Sequence, residues 1–153
     1  MKIAERFIGD ENFIFYLGDN ILVGGIRKFI DEFESNGSNC HLVLSKVSDP
    51  ERFGVPEIEG DKIIGVEEKP TKPKSSFAVT GIYLYDSSIF EAVNNIKPSV
   101  RGELEISDAH QYLLDKDRNV SFSEITGWWK DTGKASDLLE ANRLVLDNLK
   151  EER

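Results

Sequence analysis

Three places in the chain set carboxylates, amides and ammonium groups directly after a run of apolar residues. In FIFYLGDN (residues 13–20) five apolar or aromatic residues lead to Gly18, Asp19 and Asn20. In KIIGVEEKP, Glu67, Glu68 and Lys69 are halted by Pro70, and in GWWKDTG, Lys130 and Asp131 precede Thr132 and Gly133. Ligands of open α/β sheets collect beyond strand ends, so polar groups at such ends are candidates for chemistry. Asp19 and Asp131, brought to one sheet edge, can hold Mg²⁺, which takes hard oxygen ligands and keeps waters for substrate phosphates. Each also has a purely local use, because Asp-Asn ahead of a helix caps it and Asp-Thr-Gly makes a turn.

The Glu-Lys pair carries the same two readings, a solvated surface pair or a ligand clamp. In the clamp, the carboxylate accepts hydrogen bonds from sugar hydroxyls while the ammonium holds a phosphate. Successive side chains on a strand face opposite ways, so Glu68 and Lys69 reach one ligand only where the strand is already turning, which Pro70 encourages. In the turn-rich DPERFGV (residues 49–55), Gly54 either admits a ligand close to the backbone or makes the turn. Arg101, in SVRGELEISD, offers a planar fork suited to phosphate. Trp128 and Trp129 read as packing residues. His41 and His110 sit inside a strand and a helix with no Cys or carboxylate at ligand spacing, and no chemistry is assigned to them. The sequence contains no G-x-G-x-x-G, no G-x-x-x-x-G-K-[ST] and no serine or cysteine nucleophile motif.

The elements that must position these groups alternate between two periodicities. KIAERFIGDE has helical spacing, with Ile3, Phe7 and Ile8 on one side and a stop at Gly9. The unbroken apolar run at 13–18 predicts a strand buried on both faces, as in parallel sheets. Ile26, Phe29, Ile30 and Phe33 recur at helical intervals within residues 21–37, predicting an amphipathic helix that stops at Gly37. A second buried strand follows at 40–47, completing a βαβ unit with parallel pairing in the first half. Residues 55–59 and 62–68 predict a hairpin turning at Gly60-Asp61, and FAVTGIYLYD predicts a further strand. SSIFEAVNNI reads as a Ser-capped helix, ISDAHQYLLDK as another, NVSFSEI as a strand and SDLLEANRLVLDNLKEE as a long terminal helix. The expected fold is α/β: one domain over residues 1–153, with a mixed, largely parallel sheet and helices on both faces.

Composition narrows the partners. A formal net charge of −9 across 153 residues argues against nucleic acid, whose phosphates want a basic face. Phosphorylated small molecules remain compatible where Lys, Arg or a metal ion supplies positive charge. The single cysteine, Cys40, excludes an intrachain disulfide and reads as a small core residue in a protein of the reducing cytoplasm. No stretch approaches the roughly 20 apolar residues of a membrane-spanning helix, and no signal peptide opens the sequence.

YLGDNIL, DPERFGV, GVEEKP, AVTGIYLYD, RGELEISD and GWWKDTGKASDLLEANRLVL occur in the order they take in the sugar-1-phosphate nucleotidyltransferases. The chain resembles that family over essentially its whole length. Within the family it is most similar to the thymidylyltransferases acting on glucose 1-phosphate, in their long form. The resemblance implies a Rossmann-like nucleotide-diphospho-sugar transferase fold and transfer of a nucleotidyl group from dTTP to glucose 1-phosphate. It implies that Asp19 and Asp131 are Mg²⁺ ligands and that Glu68 accepts hydrogen bonds from sugar hydroxyls. Gly54 would meet the sugar through its main chain, Lys69 and Arg101 would bind the sugar phosphate, and Thr80, Gly81 and Tyr83 would line the sugar pocket. The family's opening Gly-rich loop, G-G-x-G-T-R-L-x-P, has no counterpart here. The chain is therefore expected to be an internal part of the catalytic domain, holding the sugar side of the cleft and inactive alone, with uncovered strand edges that favour a homo-oligomer. A non-catalytic sugar-phosphate-binding module, and a transferase using UTP or CTP, stay open as alternatives.

Overall fold

In the structure, a computed structural model, residues 1–151 are described. The sheet is organised by its most buried strand, β6 (Phe77–Tyr85), in which eight of nine residues are buried. β3 (Cys40–Lys46) lies antiparallel along one side of β6, and β7 (Val120–Glu124) continues the sheet parallel to β3. The other side of β6 is shared by two strands. β1 (Phe13–Tyr16) pairs antiparallel with residues 82–85, and β4 (Gly54–Glu59) meets β6 at Val79. β5 (Lys62–Glu68) completes the order β5-β4-β6-β3-β7 through the expected hairpin, with Glu59 opposite Lys62 across Gly60-Asp61. β1, β3, β4 and β7 thus run one way, and β6 and β5 run against them. A separate antiparallel ribbon joins β2 (Asn20–Leu22) to β8 (Trp129–Asp131).

Burial alternates along the sheet and puts helices on both faces. Cys40, Leu42 and Leu44 of β3 join Val79, Tyr83 and Tyr85 of β6 in one cluster beneath α3 (Ser88–Asn95) and α4 (Ile106–Asp115). Val43, Ile82 and Leu84 face the other way, against Phe29 and Phe33 of α2 (Arg27–Asn36). The α/β class with a mixed sheet is therefore the fold formed, but only β3 and β7 pair in parallel, so the sheet is largely antiparallel and not largely parallel as expected, because β6 runs against every strand it pairs with. The terminal helix α5 (Ala135–Glu151) follows β8, as the sequence predicts.

Four local expectations are corrected. β1 is not buried on both faces: its residues alternate, with Ile14 and Tyr16 more than a third exposed. Its length and apolar content do not distinguish a central strand from one that lies beside half of a longer neighbour. The βαβ unit does not pair β1 with β3, because β6, the strand able to be buried on both faces, lies between them. The helix predicted from residue 21 begins at Arg27, because Asn20–Leu22 form β2 and Gly24 and Gly25 take φ of 89° and 72°, where glycine has no steric penalty. Ser87 does not cap α3; the Asp86 carboxylate accepts from the Ser88 N–H at 2.9 Å instead. The opening segment is helical over Lys2–Ala4 and α1 (Glu5–Ile8), stopping at Gly9 as expected, but Ile3 and Phe7 of its apolar side are almost fully exposed. No helix among the described residues is long and apolar enough to cross a membrane.

Both histidines are buried structural groups, and Cys40 is a buried thiol pushed up by burial and by Asp86. His110 shares a 2.7 Å hydrogen bond with the Tyr85 hydroxyl, and burial drives its pKa down to about 3. His41 contacts Ser121 and Ser123 at 2.7 and 2.8 Å, and burial lowers its pKa against the pull of Glu32. An unfolded chain protonates both near pH 6.5. Between that pH and the folded values the unfolded state binds more protons, so stability falls as pH drops through this window. Urea unfolding at pH 7.5 and pH 5 should reveal a loss of up to about 2 kcal/mol from His110 alone, and a flatter dependence in His110→Gln. Equal pH dependence in the two proteins would show that His110 is not the responsible group.

Candidate active site

Along the β1/β4 side of β6, one strand ends before the other begins. β1 pairs as far as Ile82, Leu17 donates its N–H to the Gly81 carbonyl at 2.8 Å, and β4 starts opposite Val79. A cavity of about 260 Å³ lies at this break. Of the nine residues singled out from the sequence, seven line it: Asp19, Gly54, Glu68, Lys69, Gly81, Tyr83 and Asp131.

Two do not. Thr80 is fully buried with its hydroxyl donating to the Val43 carbonyl at 2.8 Å, because even-numbered β6 residues face α2 while Gly81 and Tyr83 face the cavity. Arg101 lies outside the lining, where Glu103 and Glu105 hold its guanidinium at 3.2 and 3.7 Å.

The acidic residues are carried on the β2–β8 ribbon. Asn20 pairs with Asp131, and Thr132 locks the crossing by donating its N–H and hydroxyl to the Asp19 carbonyl at 2.8 and 2.7 Å. Asp19 therefore heads a short strand rather than a helix. One oxygen of each carboxylate is engaged: Asp19 Oδ1 accepts from the Asn20 amide at 2.9 Å, and Asp131 Oδ1 accepts from the Gly133 N–H at 2.9 Å. The second oxygen of each accepts no hydrogen bond among the described residues. Among those residues no group of three or more His, Cys, Asp and Glu could by itself enclose a metal. Two hard carboxylates fit a cation that takes its other ligands from water and phosphate, which is Mg²⁺ chemistry.

At the opposite wall, Glu68 Oε2 accepts the Ser107 hydroxyl at 2.7 Å, and Lys69 Nζ stands 3.8 Å from Glu68 Oε1. Lys69 has φ of 45°, uncommon for a non-glycine residue, and its N–H is donated to the Phe53 carbonyl at 2.9 Å. This bend is the turn that lets neighbouring residues serve one cavity. Gly54 is required by contact, since a Cβ there would stand 2.6 Å from Ser107 Oγ and 3.3 Å from Glu68 Oε2. Burial, with the nearby Glu68 charge, raises the Tyr83 phenol and keeps it neutral.

Sequence reasoning passed over Asn20, Arg52, Phe53, Ser107 and Trp129, which also line the cavity. Arg52 is held by Asp49 at 2.7 Å. Asn20, only 8% exposed, accepts at Oδ1 from the Gly81 N–H at 3.0 Å and from the Trp129 indole at 2.6 Å. Its position in the Gly-Asp-Asn strand end was the available signal; nothing local announced Ser107 or Trp129.

With the geometry in view, comparison with known proteins identifies the class. Residues 1–148 match the nucleotidyl transferase family, and the chain belongs to it. It is 48% identical over 146 residues to a glucose-1-phosphate thymidylyltransferase of Streptomyces griseus, covering 95% of this chain and 41% of that protein. A solved structure from Bacillus anthracis, provisionally named a glucose-1-phosphate thymidylyltransferase and in complex with a sucrose, is 45% identical. It superposes with a TM-score of 0.83 over 94% of this chain and 58% of its own. A UDP-glucose pyrophosphorylase complexed with UDP-glucose shares the fold at 23% identity, with a TM-score of 0.85 over 96% of this chain and 60% of that one. The chain spans about two-fifths of the length of the curated relatives it matches.

A Cβ at Gly81 would lie 2.4 Å from Asn20 Nδ2 and 2.9 Å from Leu17 Cβ. Gly81→Ala should therefore lower stability by about 1–3 kcal/mol, read as a lower urea midpoint at unchanged slope. An unchanged midpoint would mean that Asn20 and Leu17 yield freely.

Proposed function

We propose that this chain supplies the sugar-phosphate side of a catalytic site that transfers a thymidylyl group from dTTP to glucose 1-phosphate, giving dTDP-glucose and pyrophosphate. The observation that carries this reading is the convergence of Asp19 and Asp131 with Glu68 and Lys69 around one cavity, in a chain nearly half identical to a glucose-1-phosphate thymidylyltransferase. An oxygen of the sugar phosphate attacks the α-phosphorus of dTTP in line, and pyrophosphate departs with the electrons of the broken P–O bond. The attacking oxygen is already ionised, so the reaction needs no general base, only the positioning of two anions and relief of the charge between them.

Glu68, held by Ser107, accepts hydrogen bonds from sugar hydroxyls, and Lys69 beside it takes the sugar phosphate. Gly54 brings main chain to the sugar, and Gly81 and the neutral Tyr83 phenol line its pocket. Arg101 joins the phosphate only by leaving Glu103 and Glu105, so Lys69 is the cation already in place. Asp19 and Asp131 would hold Mg²⁺, which supplies neutralisation of phosphate charge when bound. Phosphorylated substrates and a free thiol at Cys40 favour a cytoplasmic setting.

A second reading, sugar-phosphate binding without turnover, is favoured by one observation: the cavity carries the groups proposed for the sugar side, Glu68 and Lys69, with Gly54 beside them. Pyrophosphate release by the 153-residue chain with Mg²⁺, glucose 1-phosphate and, separately, dTTP, UTP or CTP distinguishes the two. Turnover with dTTP alone supports the thymidylyl reading, turnover with another triphosphate reassigns the base, and binding of glucose 1-phosphate without release supports the second.

In an active form of the protein, Asp19→Asn should lower kcat at least ~10²-fold, the scale for one preorganised electrostatic group. Wild-type turnover would remove Asp19 from the metal role. Lys69→Ala should raise KM for the sugar phosphate far more than for dTTP; equal increases would contradict its placement.

A further inference from the structure

Asn20 is buried, yet every polar atom of its side chain points at a different wall of the cavity. Oδ1 uses both acceptor positions, one on the Gly81 N–H of β6 and one on the Trp129 indole of β8. Nδ2 donates to Asp19 Oδ1 at 2.9 Å. A planar amide cannot rotate to improve one of these contacts without losing the others. We propose that Asn20 is a positioning residue that couples the Asp19 carboxylate to the Trp129 indole, so that the acidic wall and the aromatic wall are oriented together. This rests on the reading of Asp19 as a metal-holding carboxylate for its consequence, though not for its geometry.

The coupling has a direction. The amide proton held by Asp19 Oδ1 restrains the carboxylate and leaves Oδ2 as its uncommitted oxygen. Partners that orient metal-binding carboxylates in this way change metal affinity by roughly 10–100-fold when removed. Disturbing Asp19 in turn releases one end of the amide and loosens its grip on the indole, although Asp19 lies in the turn before β2 and Trp129 belongs to β8.

Two substitutions in the ¹⁵N-labelled 153-residue chain test this, read by amide and indole resonances. Trp128 provides an internal reference, because its indole nitrogen is buried without a hydrogen-bond partner. In Asn20→Ala, the Trp129 indole and Gly81 amide protons should move upfield while the Trp128 indole stays. In Asp19→Ala, the Asn20 side-chain amide pair should move, and the Trp129 indole should move with it. Asp19 is exposed, so this variant decides the question by itself if Asn20→Ala fails to fold. A Trp129 resonance unchanged in Asp19→Ala overturns the coupling, as does one unchanged in folded Asn20→Ala.

A titration with Mn²⁺ alone, following free ion by electron paramagnetic resonance, adds the functional reading. Affinity should fall about tenfold in Asn20→Ala, and unchanged affinity contradicts the proposal. A wild-type chain that binds no Mn²⁺ refutes the metal assignment of Asp19 instead, and the resonances then judge Asn20 independently.

Discussion

The site exists because one backbone N–H of a central strand has no strand partner. β6 is flanked on one side by β1 and β4, which together leave the Gly81 N–H without a strand partner between them. A buried N–H without an acceptor costs about 1–3 kcal/mol, so something must fill the break. The Asn20 side chain does so, accepting the proton of Gly81, 61 residues further along the chain. That choice has consequences on both partners. Position 81 favours glycine, since a Cβ there would stand 2.4 Å from Asn20 Nδ2 and force the amide aside, and Asp19, the residue before Asn20, is carried to the edge of the same break. The gap in the ladder, the glycine and the carboxylate are thus one arrangement.

The alternation of strand side chains explains most of what enters the cavity and what does not. Odd-numbered residues of β6 point towards α4 and the cavity, so Gly81 and Tyr83 enter while Thr80 is turned to the α2 side and satisfied by Val43. The same rule would have separated Glu68 from Lys69. It is overcome by a residue in the left-handed region, Lys69, stabilised by its N–H bond to Phe53 just before β4. A strained conformation of this sort costs on the order of 1–3 kcal/mol, and it persists where surrounding contacts determine it. Its return here is a carboxylate and an ammonium on one side of a sheet.

These contrasts mark what was legible in the sequence. Elements specified by local chemistry could be read directly: the hairpin through Gly60-Asp61, α2 stopping at the left-handed Gly37, and the terminal helix. Polar residues at apolar strand ends also announced themselves, and the two carboxylates and the Glu-Lys pair do gather. Illegible were the relations set by pairing between distant segments. The insertion of β6 between β1 and β3 depends on which strand can be buried on both faces, a comparison across 70 residues rather than a pattern within one window. Trp129 and Asn20 lie 109 positions apart, and Ser107 and Glu68 lie 39 apart. Arg101 shows the converse failure. Its type and setting suited phosphate, but acidic neighbours two and four residues on engage it first.

Electrostatics supplies the remaining constraint. The cavity lining sets three carboxylates, Asp19, Glu68 and Asp131, against two cations, Arg52 and Lys69, in a chain of net charge −9. Arg52 is already committed to Asp49 and Lys69 stands near Glu68, so little uncompensated positive charge faces a ligand. An anion entering this space alone would meet more negative than positive charge in the lining. A divalent cation held by Asp19 and Asp131, as proposed, would turn two repulsive charges into ligands and would offset the negative charge that a phosphate meets here. The same residues that disfavour an isolated anion therefore favour an anion that arrives with a metal ion. In a site of this composition, phosphate affinity and metal affinity rise and fall together.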